Sequence, residues 1–259
     1  MQNDIVLRFP KERDCFPYIP GFIVVSPVAE LDTDKEKACL YKKEDEYASM
    51  FKNAEGQITL ESKFGKELFM LMTKKNAPTK WVEIGAWNGN GTTTCILEAL
   101  QLRANKEGVV VASYEASPFF YKLAKENLER YSNLKDHFQL IHGKIADSTG
   151  CLEPEKINDK SNHYILHYEE EKYIYSTSPV VPLWFEPEVA ILDGGEYSGR
   201  NDWMGLPKRN LQYIFLDDVF VEKNREVNAL LEKDPEWECL HKGTDRNGWC
   251  YYRKKETGI

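Results

Sequence analysis

Apolar and polar positions follow two different periods along the chain, one typical of helices and one typical of buried strands. Phe64, Leu68 and Met72 recur at helical spacing, and they predict an amphipathic helix that ends before Pro78. Further along, short apolar runs are each followed by a longer mixed segment, which is the pattern of buried strands separated by helices. The predicted strands are residues 80–84, 109–114, 138–142, 189–192 and 213–216, and the predicted helices are residues 61–76, 92–104, 119–131 and 222–232.

The order of these elements predicts an α/β fold. Strands that alternate with helices form a mostly parallel sheet whose two faces are both covered. Residues 237–253 predict two more strands, joined at the turn-forming cluster of residues 245–248. We therefore expect a doubly wound, seven-stranded, mostly parallel sheet that ends in a C-terminal antiparallel hairpin.

Two segments do not follow this alternation of strands and helices. Residues 1–60 predict an N-terminal extension, ahead of a single domain at residues 61–259. Residues 151–187 are long for a connection between strands, so we expect them to have structure of their own. Two interpretations of this insertion stay open: a lid or substrate-binding element, and a peripheral hairpin with a helix.

The composition narrows the classes of function. The chain has 259 residues, of which 42% are hydrophobic and 29% are charged, as in folded globular proteins. Its net charge of -8 argues against nucleic acid as a partner. The six cysteines form no C-x-x-C pair, so we expect free thiols. Because we find neither an apolar signal core nor an apolar run of about 18 residues, we expect a cytoplasmic protein without a membrane partner. No feature of the sequence predicts the oligomeric state.

A glycine-rich loop follows the first predicted strand. The acidic residue Glu83 lies near the end of that strand, and Gly85, Gly89 and Gly91 follow at the spacing G-x-x-x-G-x-G. Open α/β sheets bind ligands at the carboxyl ends of their strands. A nicotinamide-binding loop would have the spacing G-x-G-x-x-G and would cradle a pyrophosphate, which a carboxylate would repel. We therefore expect a ligand with positive charge.

This loop resembles the first motif of class I S-adenosylmethionine-dependent methyltransferases, E/D-x-G-x-x-x-G-x-G. The resemblance implies that the loop surrounds the methionine part of the cofactor. Glu115, after the second strand, can accept hydrogen bonds from both ribose hydroxyls, a feature that dinucleotide enzymes share. The resemblance also implies that Asp147 contacts the adenine amino group, with a helix N-cap as the alternative. The predicted cofactor-binding residues are Glu83, Gly85, Ala86, Trp87, Asn88, Gly89, Gly91, Thr92, Glu115, Ala116, Ala146, Asp147 and Asp193.

Three carboxylates follow the fourth and fifth predicted strands: Asp193, Asp217 and Asp218. Like charges that converge at one sheet edge require a cation or raised pKa values. Oxygen ligands suit magnesium. The arrangement resembles metal-dependent O-methyltransferases that act on sugars and other hydroxylated small molecules, and this implies that the three aspartates hold Mg²⁺ or Mn²⁺. The alternative is that Asp217 or Asp218 caps the next helix and that Asp193 orders its own loop.

The sequence contains several candidates for the catalytic base. Sugar-modifying relatives commonly carry D-x-x-H after the fourth strand, and here Glu196 stands at the histidine position. Asp193 and Glu196 are the predicted catalytic residues, and His142, His163 and His167 stay open as alternative bases. A metal lowers the pKa of a bound hydroxyl. The predicted function is therefore metal-assisted methyl transfer to a hydroxyl of a sugar, a glycan or another small molecule.

Three other functions stay open at this point. A non-catalytic S-adenosylmethionine-binding subunit would bind the cofactor without turnover. An NAD-dependent oxidoreductase is disfavoured by the glycine spacing and by Glu83. A methyltransferase acting on nucleic-acid amino groups would carry D/N-P-P-Y/F where this chain has Asp-Gly-Gly-Glu at residues 193–196.

Overall fold

The computed structural model describes residues 49–145 and 162–255. The chain divides into two units, Met1–Ala54 and Glu55–Ile259, and every element named below lies in the second. The strands are β1 (Lys80–Ile84), β2 (Val110–Glu115), β3 (Phe138–His142), β4 (Val189–Leu192), β5 (Tyr213–Asp217), β6 (Trp237–Gly243) and β7 (Trp249–Lys254). The helices are α1 (Lys63–Thr73), α2 (Thr92–Leu102), α3 (Pro118–Asn127), α4 (Asn162–Thr177), α5 (Gly199–Gly205) and α6 (Arg225–Lys233), with a 3-10 segment at Leu128–Leu134.

The seven strands form one sheet in the order β3-β2-β1-β4-β5-β7-β6. Strands β1 to β5 pair in parallel, β7 is antiparallel to β5, and β6 is antiparallel to β7. The order reverses between β1 and β4, which is where doubly wound sheets open a crevice for ligands. The predicted fold class is therefore confirmed, including the C-terminal hairpin.

The strand register aligns the carboxyl ends of the central strands. Ile84 pairs with Tyr114 on one side and with Leu192 on the other, and Leu192 pairs with Leu216. The residues that follow these ends are Gly85, Glu115, Asp193 and Asp217. They consequently meet at one edge of the sheet, as the sequence predicted.

Both faces of the sheet are covered by helices. Successive side chains of a strand point to opposite faces, so consecutive residues of β1 enter different cores. Trp81 packs in a cluster that includes Phe64 of α1 and Ile96 of α2. Val82 packs in a second cluster that includes Val227 of α6. This double burial explains why the strand sequences are continuously apolar rather than alternating.

The observed helix boundaries differ from the predicted ones where a side chain caps the helix. Helix α1 begins after Ser62, whose side chain accepts the backbone N–H of Gly65 at 3.1 Å. Ser117 caps α3 in the same way, with Pro118 at the first helical position. The helix predicted over 119–131 instead ends at Asn127 and continues as the 3-10 segment. The short helix α5 was not among the helices predicted from the sequence.

The predicted insertion at 151–187 is described from residue 162 onward, where it contains α4. After this helix, Lys144 and Val180 form an isolated parallel bridge beside β3. The assignment of the insertion as a lid or substrate element, and the domain boundary at residue 60, stay predictions. Among the described helices, none has the length and apolar character needed to cross a membrane.

Candidate functional site

The glycine loop between β1 and α2 turns through left-handed backbone conformations. Gly85 has φ of 95°, Trp87 has φ of 50° and Gly89 has φ of 82°. A Cβ atom on Gly85 would lie 2.2 Å from the carbonyl oxygen of Asp193, so the residue after β1 must be glycine. The backbones that follow β1 and β4 are therefore in direct contact at this point.

Glu83 lies on β1 with no exposed surface. Its Oε2 accepts hydrogen bonds from the hydroxyls of Thr93 at 2.8 Å and Ser113 at 2.5 Å. Burial raises its pKa to about 8, although these two hydrogen bonds act in the opposite direction. Its Oε1 has no hydrogen-bond partner among the described residues. A buried acceptor without a donor is costly, so this oxygen fits a ligand that brings a donor or a positive charge.

Glu115, the last residue of β2, holds the glycine loop through its carboxylate. Oε2 accepts the backbone N–H of Trp87 at 2.7 Å, and Oε1 accepts that of Ser117 at 2.8 Å. Burial raises the pKa of Glu115 to about 7, against hydrogen bonds from the backbone of Ser117, Trp87 and Ala116. Each carboxylate oxygen has a second lone pair. The group can therefore orient the loop and still accept ribose hydroxyls.

The remaining cofactor-binding candidates extend along the same edge. Asn88 is fully buried, and its Oδ1 accepts the backbone N–H of Asn90 at 2.9 Å. Thr92, at the start of α2, donates its hydroxyl to Asp193 Oδ2 at 2.9 Å. The described residues thus bring the glycine loop and the end of β4 together. Ala146 and Asp147 lie outside the described residues.

A segment that the sequence did not single out packs against the glycine loop. The backbone N–H of Gly56 donates to Asn90 O at 2.9 Å. A Cβ atom on Gly56 would lie 2.4 Å from Gly91 Cα. The chain ahead of α1 therefore supports the loop by backbone contact, which leaves no motif in the sequence.

The three aspartates after β4 and β5 converge, and a lysine lies between two of them. Lys223 Nζ is 3.1 Å from Asp193 Oδ1 and 2.9 Å from Asp218 Oδ2. The guanidinium of Arg246 contacts Asp217 and lies 3.9 Å from Asp218 Oδ1. The sequence analysis missed both cations, because neither belongs to a recognisable spacing. Within residues 49–145 and 162–255, no group of three or more acidic, histidine or cysteine side chains is arranged to hold a metal ion.

The electrostatics of this cluster keep Lys223 charged. Burial acts to lower the pKa of its ammonium, but the charges of Asp193, Asp218 and Asp217 outweigh burial and raise that pKa. Burial and the charge of Asp193 raise the pKa of Asp217 to about 8, against the attraction of Lys223 and Arg246. Asp218 has φ of 53°, a conformation uncommon outside glycine, so the cluster also contains backbone strain.

Glu196 lies in the loop after β4. Glu171 of α4 fixes the backbone of this loop by accepting the N–H of Tyr197 at 2.9 Å and that of Glu196. Burial raises the pKa of Glu196 to about 7; the charges of Asp218 and Glu171 add to this effect, whereas Lys223 opposes it. A carboxylate whose pKa lies near neutrality is suited to accept a proton.

The alternative histidine bases differ in position. His142 ends β3, and β2 and β1 lie between β3 and β4. At about 4.8 Å per strand, this places β3 roughly 14 Å from β4 and its catalytic candidates. His163 and His167 lie in the part of α4 whose side chains are not described. Glu196 is therefore the better placed candidate among the described side chains.

Comparison with known proteins gives structural matches only. No protein-family model and no curated protein sequence matches the chain. The structure of the O-methyltransferase from Bacillus cereus in complex with SAH matches with a TM-score of 0.50 and 15% identity, over 87% of this chain and 93% of that chain. Cofactor-bound Rv0187 from MTB matches with a TM-score of 0.50 and 14% identity, over 88% of this chain and 93% of that chain. Together with the strand order, these matches show that the chain has the fold of class I S-adenosylmethionine-dependent methyltransferases.

Proposed function

We propose that the chain is an S-adenosylmethionine-dependent O-methyltransferase that acts on a hydroxylated small molecule, with sugar and glycan hydroxyls as the acceptor class. The observation that carries this proposal is Glu83, whose buried Oε1 lacks a donor among the described residues beside a left-handed glycine loop. The Bacillus cereus neighbour, an O-methyltransferase in complex with SAH, supports the same chemistry.

The residues at the sheet edge suit the parts of this cofactor. When bound, S-adenosylmethionine supplies a sulfonium methyl group that passes to the acceptor oxygen, and the electrons of the broken C–S bond remain on sulfur. Glu83 and the loop from Gly85 to Gly91 hold the positively charged methionine part. Glu115 accepts the ribose hydroxyls through its remaining lone pairs. A positively charged ligand favours the ionised form of Glu83, whereas a pyrophosphate would oppose its ionisation, and this disfavours the oxidoreductase alternative.

Glu196 is the proposed proton acceptor. A hydroxyl must lose its proton as its oxygen gains a methyl group, and the proton passes to the Glu196 carboxylate. The environment that raises the pKa of Glu196 to about 7 makes its ionised form available near neutral pH and its basicity adequate. Asp193 is the second proposed catalytic residue, and its carboxylate accepts hydrogen bonds from the Thr92 hydroxyl and the Lys223 ammonium.

The arrangement does not fit the Mg²⁺ or Mn²⁺ predicted at Asp193, Asp217 and Asp218. The Lys223 ammonium lies between Asp193 and Asp218, at distances of 3.1 and 2.9 Å. Divalent magnesium binds oxygen at about 2.0–2.1 Å, so it would have to displace this side chain. The metal-assisted form of the reaction therefore finds no support in these side chains.

The first test is calorimetric titration of S-adenosylhomocysteine into the full chain. We expect micromolar binding, and we expect Glu83→Gln to weaken it by about tenfold or more, because an amide, unlike the Glu83 carboxyl, cannot ionise opposite the ammonium group of the ligand. Glu107→Gln, at an exposed position, is the matched control and should bind as the parent does. No binding to the parent protein, together with binding of NADH, would contradict the proposal.

Turnover separates an enzyme from a non-catalytic binder. The assay is release of S-adenosylhomocysteine in the presence of a panel of sugars and other alcohols. Release that depends on one acceptor supports the enzyme. Cofactor binding with no release from any member of the panel would favour the non-catalytic subunit.

A further inference from the structure

The acidic cluster at the ends of β4 and β5 already contains its own cation. Lys223 Nζ contacts Asp193 Oδ1 and Asp218 Oδ2, and only 12% of the lysine side chain is exposed. The two N···O distances, 3.1 and 2.9 Å, are those of charge-assisted hydrogen bonds rather than of metal ligation. The carboxylates are therefore spaced for an ammonium group.

The charge balance of the cluster also favours an ammonium group over a divalent metal ion. Three carboxylates, of Asp193, Asp217 and Asp218, face two protein cations, Lys223 and Arg246. At most one negative charge is left over, and this suits a neighbouring sulfonium. A divalent ion added to the cluster would make it positive and would repel that sulfonium.

Two of the N–H groups of the Lys223 ammonium account for its two ion pairs. A lysine ammonium carries three N–H groups, and two of them face Asp193 and Asp218. No described residue accepts the third. The charge of Lys223 also acts to lower the pKa of the proposed base Glu196, so the ammonium lies in the neighbourhood of the proposed acceptor site.

We infer that Lys223 is the resident cation of this site. It holds Asp193 and Asp218 together and donates a hydrogen bond to the acceptor oxygen, in the role that the resemblance assigned to Mg²⁺. The chain is accordingly a metal-independent methyltransferase. The contact with the acceptor rests on the proposed function, whereas the exclusion of a metal by Lys223 does not.

The decisive measurement is Mn²⁺ binding to the full chain, followed by the electron paramagnetic resonance signal of free Mn²⁺. The parent protein should leave Mn²⁺ free. Lys223→Ala should bind Mn²⁺ more tightly than the parent by about 100-fold, because the aspartates lose the ammonium that neutralises them. Lys233→Ala, an exposed lysine of α6, is the matched control and should bind no Mn²⁺.

Two results would overturn the inference: micromolar, stoichiometric Mn²⁺ binding by the parent, or no gain of binding in folded Lys223→Ala. Thermal unfolding establishes whether the variant is folded. If it is not, Lys223→Gln replaces it, and the measurement on the parent remains decisive by itself. This experiment needs no acceptor, so its outcome stands even if methyl transfer is disproved.

A kinetic experiment tests the contact with the acceptor once turnover is established. Treatment with EDTA and addition of Mg²⁺ should each change kcat by less than about twofold. Lys223→Gln should lower kcat by about 100-fold, as loss of a hydrogen bond to developing charge does, and Lys223→Arg should recover part of this loss. Activation by Mg²⁺ of tenfold or more, or equal activity of the Gln and Arg variants, would contradict the inferred role.

Discussion

Single carboxylates at the ends of neighbouring strands have different tasks because their partners differ. Glu83 is held by two side-chain hydroxyls and keeps one oxygen without a partner among the described residues. Glu115 is held by backbone N–H groups and fixes the left-handed Trp87. Glu83 thus keeps a buried acceptor for the proposed cofactor, whereas Glu115 fixes the backbone of the loop and keeps lone pairs for the ribose that we propose it binds.

At the same scale, we expect Glu196, the proposed proton acceptor, to determine how the rate of turnover depends on pH. Its raised pKa of about 7 means that it loses its proton as the pH rises through neutrality. We expect kcat to rise with pH up to about 7 and then to level off, because only the ionised form accepts a proton. Glu196→Gln should lower kcat by about 100-fold or more and should abolish this rise.

The pH–rate profiles of the parent and Glu196→Gln check this prediction. Glu129→Gln, an exposed substitution, should keep the parent profile. S-adenosylhomocysteine should bind Glu196→Gln as it binds the parent. A variant that kept the rise in kcat would exclude Glu196 as the base.

Among the elements, α4 has a clear structural task. Glu171 accepts backbone N–H groups from the loop that carries Glu196. One turn further along, the Tyr175 hydroxyl contacts Asp202 of α5, and Ser198 donates to the same carboxylate at 3.0 Å. The helix of the predicted insertion is therefore tied to the loop after β4 by buried polar contacts, which are costly to break.

The corresponding prediction concerns the position of the base rather than its chemistry. Glu171→Ala should lower kcat by about tenfold, because the loop loses its acceptor and Glu196 loses its fixed orientation. Glu171→Gln keeps an acceptor oxygen and should recover most of the loss.

The measurement is kcat and KM for the acceptor, together with calorimetric binding of S-adenosylhomocysteine. Tyr173→Ala is the control on the exposed side of α4 and should match the parent. Cofactor binding should be unchanged in all three variants. Equal kcat for Glu171→Ala and the parent would show that α4 does not position the base.

For the molecule as a whole, the sequence predicted most of the sheet and the carboxylates that meet at one edge of it. Apolar runs located the strands, and parallel pairing then placed Glu83, Glu115 and Asp193 at one edge. The sequence analysis missed Lys223 and Arg246, because residues in a loop and in a hairpin turn follow no hydrophobic period. Both cations form ion pairs with the aspartates that the sequence analysis predicted as metal ligands.

The concentration of buried carboxylates also governs how the stability of the fold depends on pH. Burial raises the pKa of Glu83 to about 8 and that of Glu115 to about 7, from an ordinary value of 4.5. Between pH 4.5 and 8 the folded state therefore binds more protons than the unfolded state. The free energy of unfolding should consequently fall as the pH rises through this window.

Chemical denaturation at pH 6 and pH 8.5 measures this fall in the free energy of unfolding. Comparison with Glu83→Gln gives the part of the fall that is due to Glu83. The Glu83 contribution should be about 1–4 kcal/mol, and the glutamine variant should lose less stability than the parent over the same window. Glu107→Gln, whose carboxylate is exposed, should follow the parent. Parent stability that rose with pH would mean that Glu83 is ionised in the folded chain, and its buried oxygen would then need a protein donor.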